Sequence, residues 1–109
     1  MTVQDIKRGH FKTVEGDGLR TLLEDHFGTD VKVAEDGWHY VNYGALAPLG
    51  VRILSKSELE ISTRSAPDVE PEAAQETIRR YNRFLEAATG FNSKQRSKRL
   101  QAKAKKGTL

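Results

Sequence analysis

Between Glu70 and Gly90 the apolar residues Ala74, Ile78, Tyr81, Leu85 and Ala88 recur at steps of four and three. That spacing lays them along one stripe of an α-helix, which Phe84 widens. Glu70, Glu72 and Glu76 lie toward its start, and Arg79, Arg80 and Arg83 further along, in the sense the helix dipole favours. Thr89-Gly90 ends it, and Phe91 can fold back onto the last turn. A helix with one apolar stripe must bury that stripe against a second layer.

The layer is supplied upstream. Val3 to Val14 reads as a first strand with a break at Gly9, and Glu15-Gly16-Asp17-Gly18 as a turn whose Asp17 carboxylate can accept from the free N–H groups of a helix start. Leu19, Leu22, Leu23 and Phe27 form one face of a short helix that stops at Gly28. Val31 and Val33 alternate with Lys32 up to the turn Glu35-Asp36-Gly37, a hairpin signal. Trp38 to Tyr43, rich in aromatic and β-branched residues, reads as a strand. Gly44 to Gly50, interrupted by Pro48, reads as a loop. Val51–Leu54 and Glu58–Thr63 make a second hairpin about Ser55-Lys56-Ser57, with Val51, Ile53, Leu59 and Ile61 on one face.

The order is β-α-β-β-β-β-α, an α+β fold: an antiparallel sheet of about five strands with both helices on one face. The expected core joins Val31, Val33, Val51, Ile53, Leu59 and Ile61 to Leu22, Leu23, Phe27, Ile78, Tyr81 and Leu85.

Of the 18 basic side chains in the 109 residues, seven fall within Lys94–Leu109: Lys94, Arg96, Lys98, Arg99, Lys103, Lys105 and Lys106. No acidic residue accompanies them, so all 15 acidic side chains lie in residues 1–93 and outnumber the basic ones there. A mildly acidic body carries a strongly basic arm, which is an electrostatic handle for an anionic partner. Leu100, Ala102 and Ala104 are its only apolar residues before the terminal Leu109, too few to dock a helix. Residues 1–92 are therefore expected to form a single α+β domain and residues 93–109 a frayed or disordered tail. Removing the tail should then leave stability nearly unchanged. No run of 18 apolar residues and no signal-peptide stretch is present, so a cytoplasmic location without membrane contact is expected. With no cysteine in the chain, disulfides, thiolate chemistry and Cys-ligated metals are excluded.

The hairpin Val51 to Thr63 resembles that of the TATA-box-binding protein: a strand, a Ser-containing turn and a strand ending in Thr. The helix Ile78 to Leu85, closed by Gly90-Phe91, is similar to that family's long helix, with its basic-Tyr pair and terminal Gly-Phe. The resemblance covers roughly residues 6 to 91 and implies one half of that two-repeat fold. The chain also resembles a group of small uncharacterised archaeal proteins with a single such unit, for which only the fold is implied. In the two-repeat family the open sheet face sits on the DNA minor groove. Here that face would present Lys32, Arg52 and Arg64 together with Glu58 and Glu60, and the two carboxylates would repel phosphate. No DNA-contacting residue is carried over to the sheet.

Catalytic chemistry finds little support. His10, His26 and His39 lack the spacing of metal ligands on one element, and no metal site is expected. The carboxylates Asp17, Glu24, Asp25, Asp68, Glu70, Glu72 and Glu76 mostly sit near helix starts, where the dipole accounts for them. Gly16-Asp17-Gly18 lacks the length and lysine of a phosphate-binding loop. The expectation is a protein that is not an enzyme and needs no cofactor.

What remains is binding. The leading reading is a small module that contacts DNA or RNA through the seven cations of its arm. Trp38 and Tyr40, on one face of their strand, are candidates for base stacking or for an interface. The alternative is a protein-interaction or homodimerisation domain with no nucleic-acid role. A third reading, a small-molecule binder, places a pocket between the sheet and the Gly44–Gly50 loop.

Overall fold

Short alternating segments separated by tight turns can only pair with their neighbours, and the chain does so throughout its middle. The computed structural model describes residues 2–66 and 68–106. Strand β1 (Thr2–Asp5) is followed by helix α1 (Gly18–Phe27). Then come β2 (Lys32–Val33), β3 (His39–Tyr43), β4 (Leu46–Ser55) and β5 (Glu58–Ser65), and the chain closes with α2 (Pro71–Thr89) and α3 (Ser93–Lys106). The sheet is five-stranded in the order β1-β5-β4-β3-β2, and every neighbouring pair is antiparallel.

One face of this sheet builds the core. Val41, Leu49, Val51, Leu59 and Ile61 are buried in one cluster with Leu19, Leu23 and Phe27 of α1 and Phe84, Leu85 and Ala88 of α2. Val31, Ile53, Leu22 and Tyr81 are partly buried against it. Two expected core residues are not in it. Val33 is 52% exposed, because β2 is a two-residue edge strand. Ile78 is 58% exposed, because the buried side of α2 is set by Thr77 and Phe84, seven residues apart, and Ile78 lies at its margin.

Four segments depart from the sequence expectations, three of them before α2. The first strand ends at Asp5 rather than Val14. His10 N–H donates to the carbonyl of Lys7, Gly9 takes φ +84°, and Phe11–Thr13 make a single 3-10 turn that delivers Val14 to the core. Asp17 does precede α1, but its side chain makes no capping bond; its carbonyl accepts from Thr21 N–H instead. The expected loop Gly44–Gly50 is largely strand. β4 starts at Leu46, and the β4–β5 register slips between Leu46 and Leu49, around Pro48, which has no N–H to give to a ladder. Only Gly44-Ala45 turns, and it docks on α2: Ala45 N–H donates to Thr77 Oγ1 at 3.1 Å.

The largest correction is the basic segment. Residues 93–106 form α3 instead of a frayed arm. A reciprocal capping box starts it, in which Gln95 N–H donates to Asn92 Oδ1 (2.9 Å) and Asn92 N–H donates to Gln95 Oε1 (3.0 Å). The helix then lies against β1, an edge strand whose free ladder groups a neighbouring element can cover.

The N-terminal loop and the end of α2 are stitched together. Helix C-termini leave carbonyls without intrahelical partners. His10 Nε2–H donates to Ala87 O at 2.6 Å and Lys7 N–H to Thr89 O at 2.7 Å. Gly90 follows with φ +81°, and a Cβ there would stand 3.0 Å from Lys7 Cβ and 3.1 Å from the His10 ring.

Candidate functional site

The seven expected contact residues of the basic segment separate by role once α3 forms. Arg96 is only 5% exposed. Its guanidinium donates to Phe91 O at 2.7 Å and to Asn82 Oδ1 at 3.1 Å, so it holds α3 to α2 and is withdrawn from solvent. Burial pulls its pKa below the usual arginine value, and Tyr81 and Glu86 nearby oppose that shift. Arg99 donates from Nε to Asp5 Oδ2 at 3.1 Å, with its Cζ 4.4 Å from the Phe91 ring centre. Lys94 and Lys98 are exposed and sit one helical turn apart. The side chains of Lys103, Lys105 and Lys106 lie outside the described residues.

Trp38 and Tyr40 fall on the open face of the sheet. Cross-strand partners share a face, and the register lines up Lys32, Tyr40, Gly50 and Ser62 in one row, with Arg52, Glu60 and Val3 in the next. The Trp38 and Tyr40 rings stack with centres 6.2 Å apart and planes 17° from parallel. They lie against the bare backbone of Gly50, where a Cβ would come within 3.2 Å of Trp38 and 3.1 Å of Tyr40. Arg52 covers the Trp38 ring with Cζ 4.9 Å from its centre and is ion-paired to Glu60. Its Nε is buried with no hydrogen-bond partner. Both aromatics are half-buried by this packing, and Arg52 is already committed to a carboxylate and a ring.

The histidines occupy three separate places. His10 closes the end of α2. His39 Nδ1 lies 2.9 Å from the carbonyl of Gly37 at the β2–β3 turn. His26 packs edge-on to Phe84; burial lowers its pKa first, Arg83 and Arg80 add to that, and Asp25 opposes. Among the described residues no group of three or more His, Asp or Glu is placed to hold a metal ion, and no helix is long and apolar enough to cross a membrane. Next to the Gly44-Ala45 turn, a hollow of about 290 Å3 opens between Leu46 and the α2 residues Thr77, Ile78 and Tyr81.

A larger hollow lies at the opposite end of β5. There an open cleft of about 680 Å3 has Ile6 and Phe11 among its lining, together with Arg8 and Lys12 from the N-terminal loop, Lys56 from the β4–β5 turn and Arg99 from α3. Glu15 is the acidic residue of its lining. Arg8, Lys12 and Lys56 have no ion-pair partner among the described residues. None of these three stands out in the linear sequence, because each is an isolated cation or half of a short pair. They meet through the pairing of Asp5 with Glu58, which carries the segment after β1 past the β4–β5 turn, and Ile6 N–H fixes that approach by donating to Ser57 O at 2.8 Å.

These elements define a small α+β domain with an antiparallel five-stranded sheet and three α-helices, with cations gathered at one end. The chain belongs to the family described as a domain of unknown function, DUF5611, whose model matches residues 1–102. That span includes the first ten residues of α3. No curated protein and no solved structure matches the chain.

Proposed function

We propose that this domain is a nucleic-acid-binding module on a half TATA-box-binding-protein-like fold, and that it contacts the strand through α3 and the adjoining cleft. The fold reading is supported by the placement of one helix after the first strand and the long helix after the fifth. The contact reading is carried by one observation: Arg99 belongs both to α3 and to the lining of the cleft. Arg99 thus links the helix that carries Lys94 and Lys98 to the cleft that Arg8, Lys12 and Lys56 line. A run of cations of that kind follows a phosphate backbone and releases its counterions.

The open sheet face has no part in this reading. A phosphate approaching Arg52 would have to displace Glu60, and the stacked pair of Trp38 and Tyr40 already fills the space above Gly50. Binding of single-stranded DNA and RNA to the intact protein and to the double variant Lys94→Ala/Lys98→Ala, titrated with salt, tests the proposal. Both lysines are exposed, so the fold should survive their loss. Weaker binding of all sequences by the variant is expected. Absence of any binding at low salt would sink it.

A further inference from the structure

The cleft is more than a widening of a basic surface, because its cations surround an apolar floor. We propose that it is a site for one nucleotide unit, with the phosphate held by Arg8, Lys12 and Lys56 and the ring lying against Phe11. The proposal deepens the nucleic-acid reading and rests on it only for the case in which the nucleotide belongs to a strand.

Charge sets the ligand class. Arg99 is matched by Asp5. Around the rest of the cleft, Arg8, Lys12 and Lys56 face the single carboxylate of Glu15, an excess of two positive charges. A phosphate monoester carries a charge of about −1.5 to −2 near neutral pH, which complements that excess. A carboxylate, with one charge, would leave it half unmatched. The cations come from two separate chain segments and are exposed, so their long side chains can close on a phosphate from different sides.

The floor and the size select the rest of the molecule. Ile6 is buried and Phe11 half-buried, so both already lean on the core and keep one side toward the cleft. Inorganic phosphate alone would leave that surface wet. A planar ring would cover it, and an aromatic face takes a base by stacking with little regard to its identity. The volume of about 680 Å3 lies within the usual range of pockets that take small ligands, about 300–1,000 Å3.

The experiment uses the full chain and calorimetric titration with adenosine 5′-monophosphate, adenosine, inorganic phosphate, and a short single strand with and without a 5′-phosphate. The monophosphate should bind more tightly than either inorganic phosphate or adenosine. Lys12→Ala/Lys56→Ala should weaken the monophosphate and inorganic phosphate about tenfold or more. Phe11→Leu, which keeps an apolar floor, should weaken the monophosphate and leave inorganic phosphate unchanged. Glu15→Gln should tighten both. A strand preferred when 5′-phosphorylated, with the preference lost in Lys12→Ala/Lys56→Ala, supports the site and makes the ligand a strand end. Monophosphate binding without any strand binding supports the site with a free nucleotide as ligand and overturns the nucleic-acid reading. Strands that depend on Lys94 and Lys98 but bind Lys12→Ala/Lys56→Ala as well as the parent leave that reading standing and rule out a strand end as the ligand of the cleft. No binding of the monophosphate, or binding equal in parent and Lys12→Ala/Lys56→Ala, overturns the cleft proposal itself.

Discussion

Arg96 donates a 3.1 Å hydrogen bond to Asn82 Oδ1, and this contact makes the basic C-terminal segment part of the fold. The same guanidinium reaches Phe91 O, so one side chain spans α2, the linker and α3. An arginine buried in this way is held by its partners and cannot be traded for a lysine, whose ammonium lacks the fork.

Arg96→Ala should therefore destabilise the protein by about 2 kcal/mol, the scale of hydrogen bonds made by a charged group. Arg99→Ala, which breaks a half-exposed pair with Asp5, should cost less than about 1 kcal/mol. Removing residues 93–109 should resemble Arg96→Ala rather than leave stability unchanged. Urea unfolding of the three variants checks this; equal midpoints for Arg96→Ala and the parent would contradict the docking role.

Gly90 is constrained twice, by its positive φ and by the close approach of Lys7 and His10. Gly90→Ala should cost more than Gly16→Ala, since Gly16 has a positive φ but open space around it. The backbone term alone is about 1 kcal/mol, and the crowding at Gly90 adds to it. Thermal unfolding of the two variants side by side isolates the contact with the N-terminal loop.

Trp38 is the chain's single tryptophan, so its emission reports on the open face alone. Gly50→Ala should push the Trp38 and Tyr40 rings outward, with a red-shifted emission and a loss of about 1 kcal/mol. Arg52→Ala should make Trp38 more accessible to iodide quenching by uncovering its ring. Unchanged emission in Gly50→Ala would mean that the rings do not rest on Gly50, and unchanged quenching in Arg52→Ala that the guanidinium does not cover Trp38.

His26 gives the fold a pH dependence of defined sign. Burial is the main cause of its lowered pKa in the folded state, so the unfolded chain takes up the proton first as pH falls. Its contribution is complete above the unfolded value of 6.5 and is lost progressively as pH drops from there to the lower folded value. Between pH 7.5 and 5.5 the parent should lose more stability than His26→Gln. A larger loss in the variant would reverse the sign and refute the burial argument.

The contrast between α2 and α3 shows what was legible from residues alone. The α2 stripe repeats over about four turns, and the hairpin of Val51 and Ile61 alternates cleanly, so periodicity reveals both. α3 has no such stripe because it docks through Arg96 and Arg99, and hydrophobic patterns do not register a buried guanidinium. Its one local signal is the Asn92–Gln95 capping box. Pro48 made the start of β4 look like a loop, since a strand is tolerant of proline only where the ladder is already irregular. The cleft was invisible for a different reason: Lys12 and Lys56 are forty-four positions apart, and only the β1–β5 register brings them together.

That same division of the cations fixes the expected salt dependence of binding. If all seven arm residues met phosphate on a single strand, the slope of log K against log salt would approach −5, at roughly −0.7 per contact. Arg96 is withdrawn and Arg99 is paired with Asp5, which leaves the arm a shallower slope unless the cleft contributes. Lys94→Ala/Lys98→Ala should make the slope less steep by one to two units and weaken every sequence alike, since phosphate contacts position without specifying. Arg96→Gln, assayed well below its unfolding temperature, should leave the slope unchanged. A slope altered by Arg96→Gln but not by Lys94→Ala/Lys98→Ala would place the phosphate contacts on the wrong side of α3 and overturn the proposed interface.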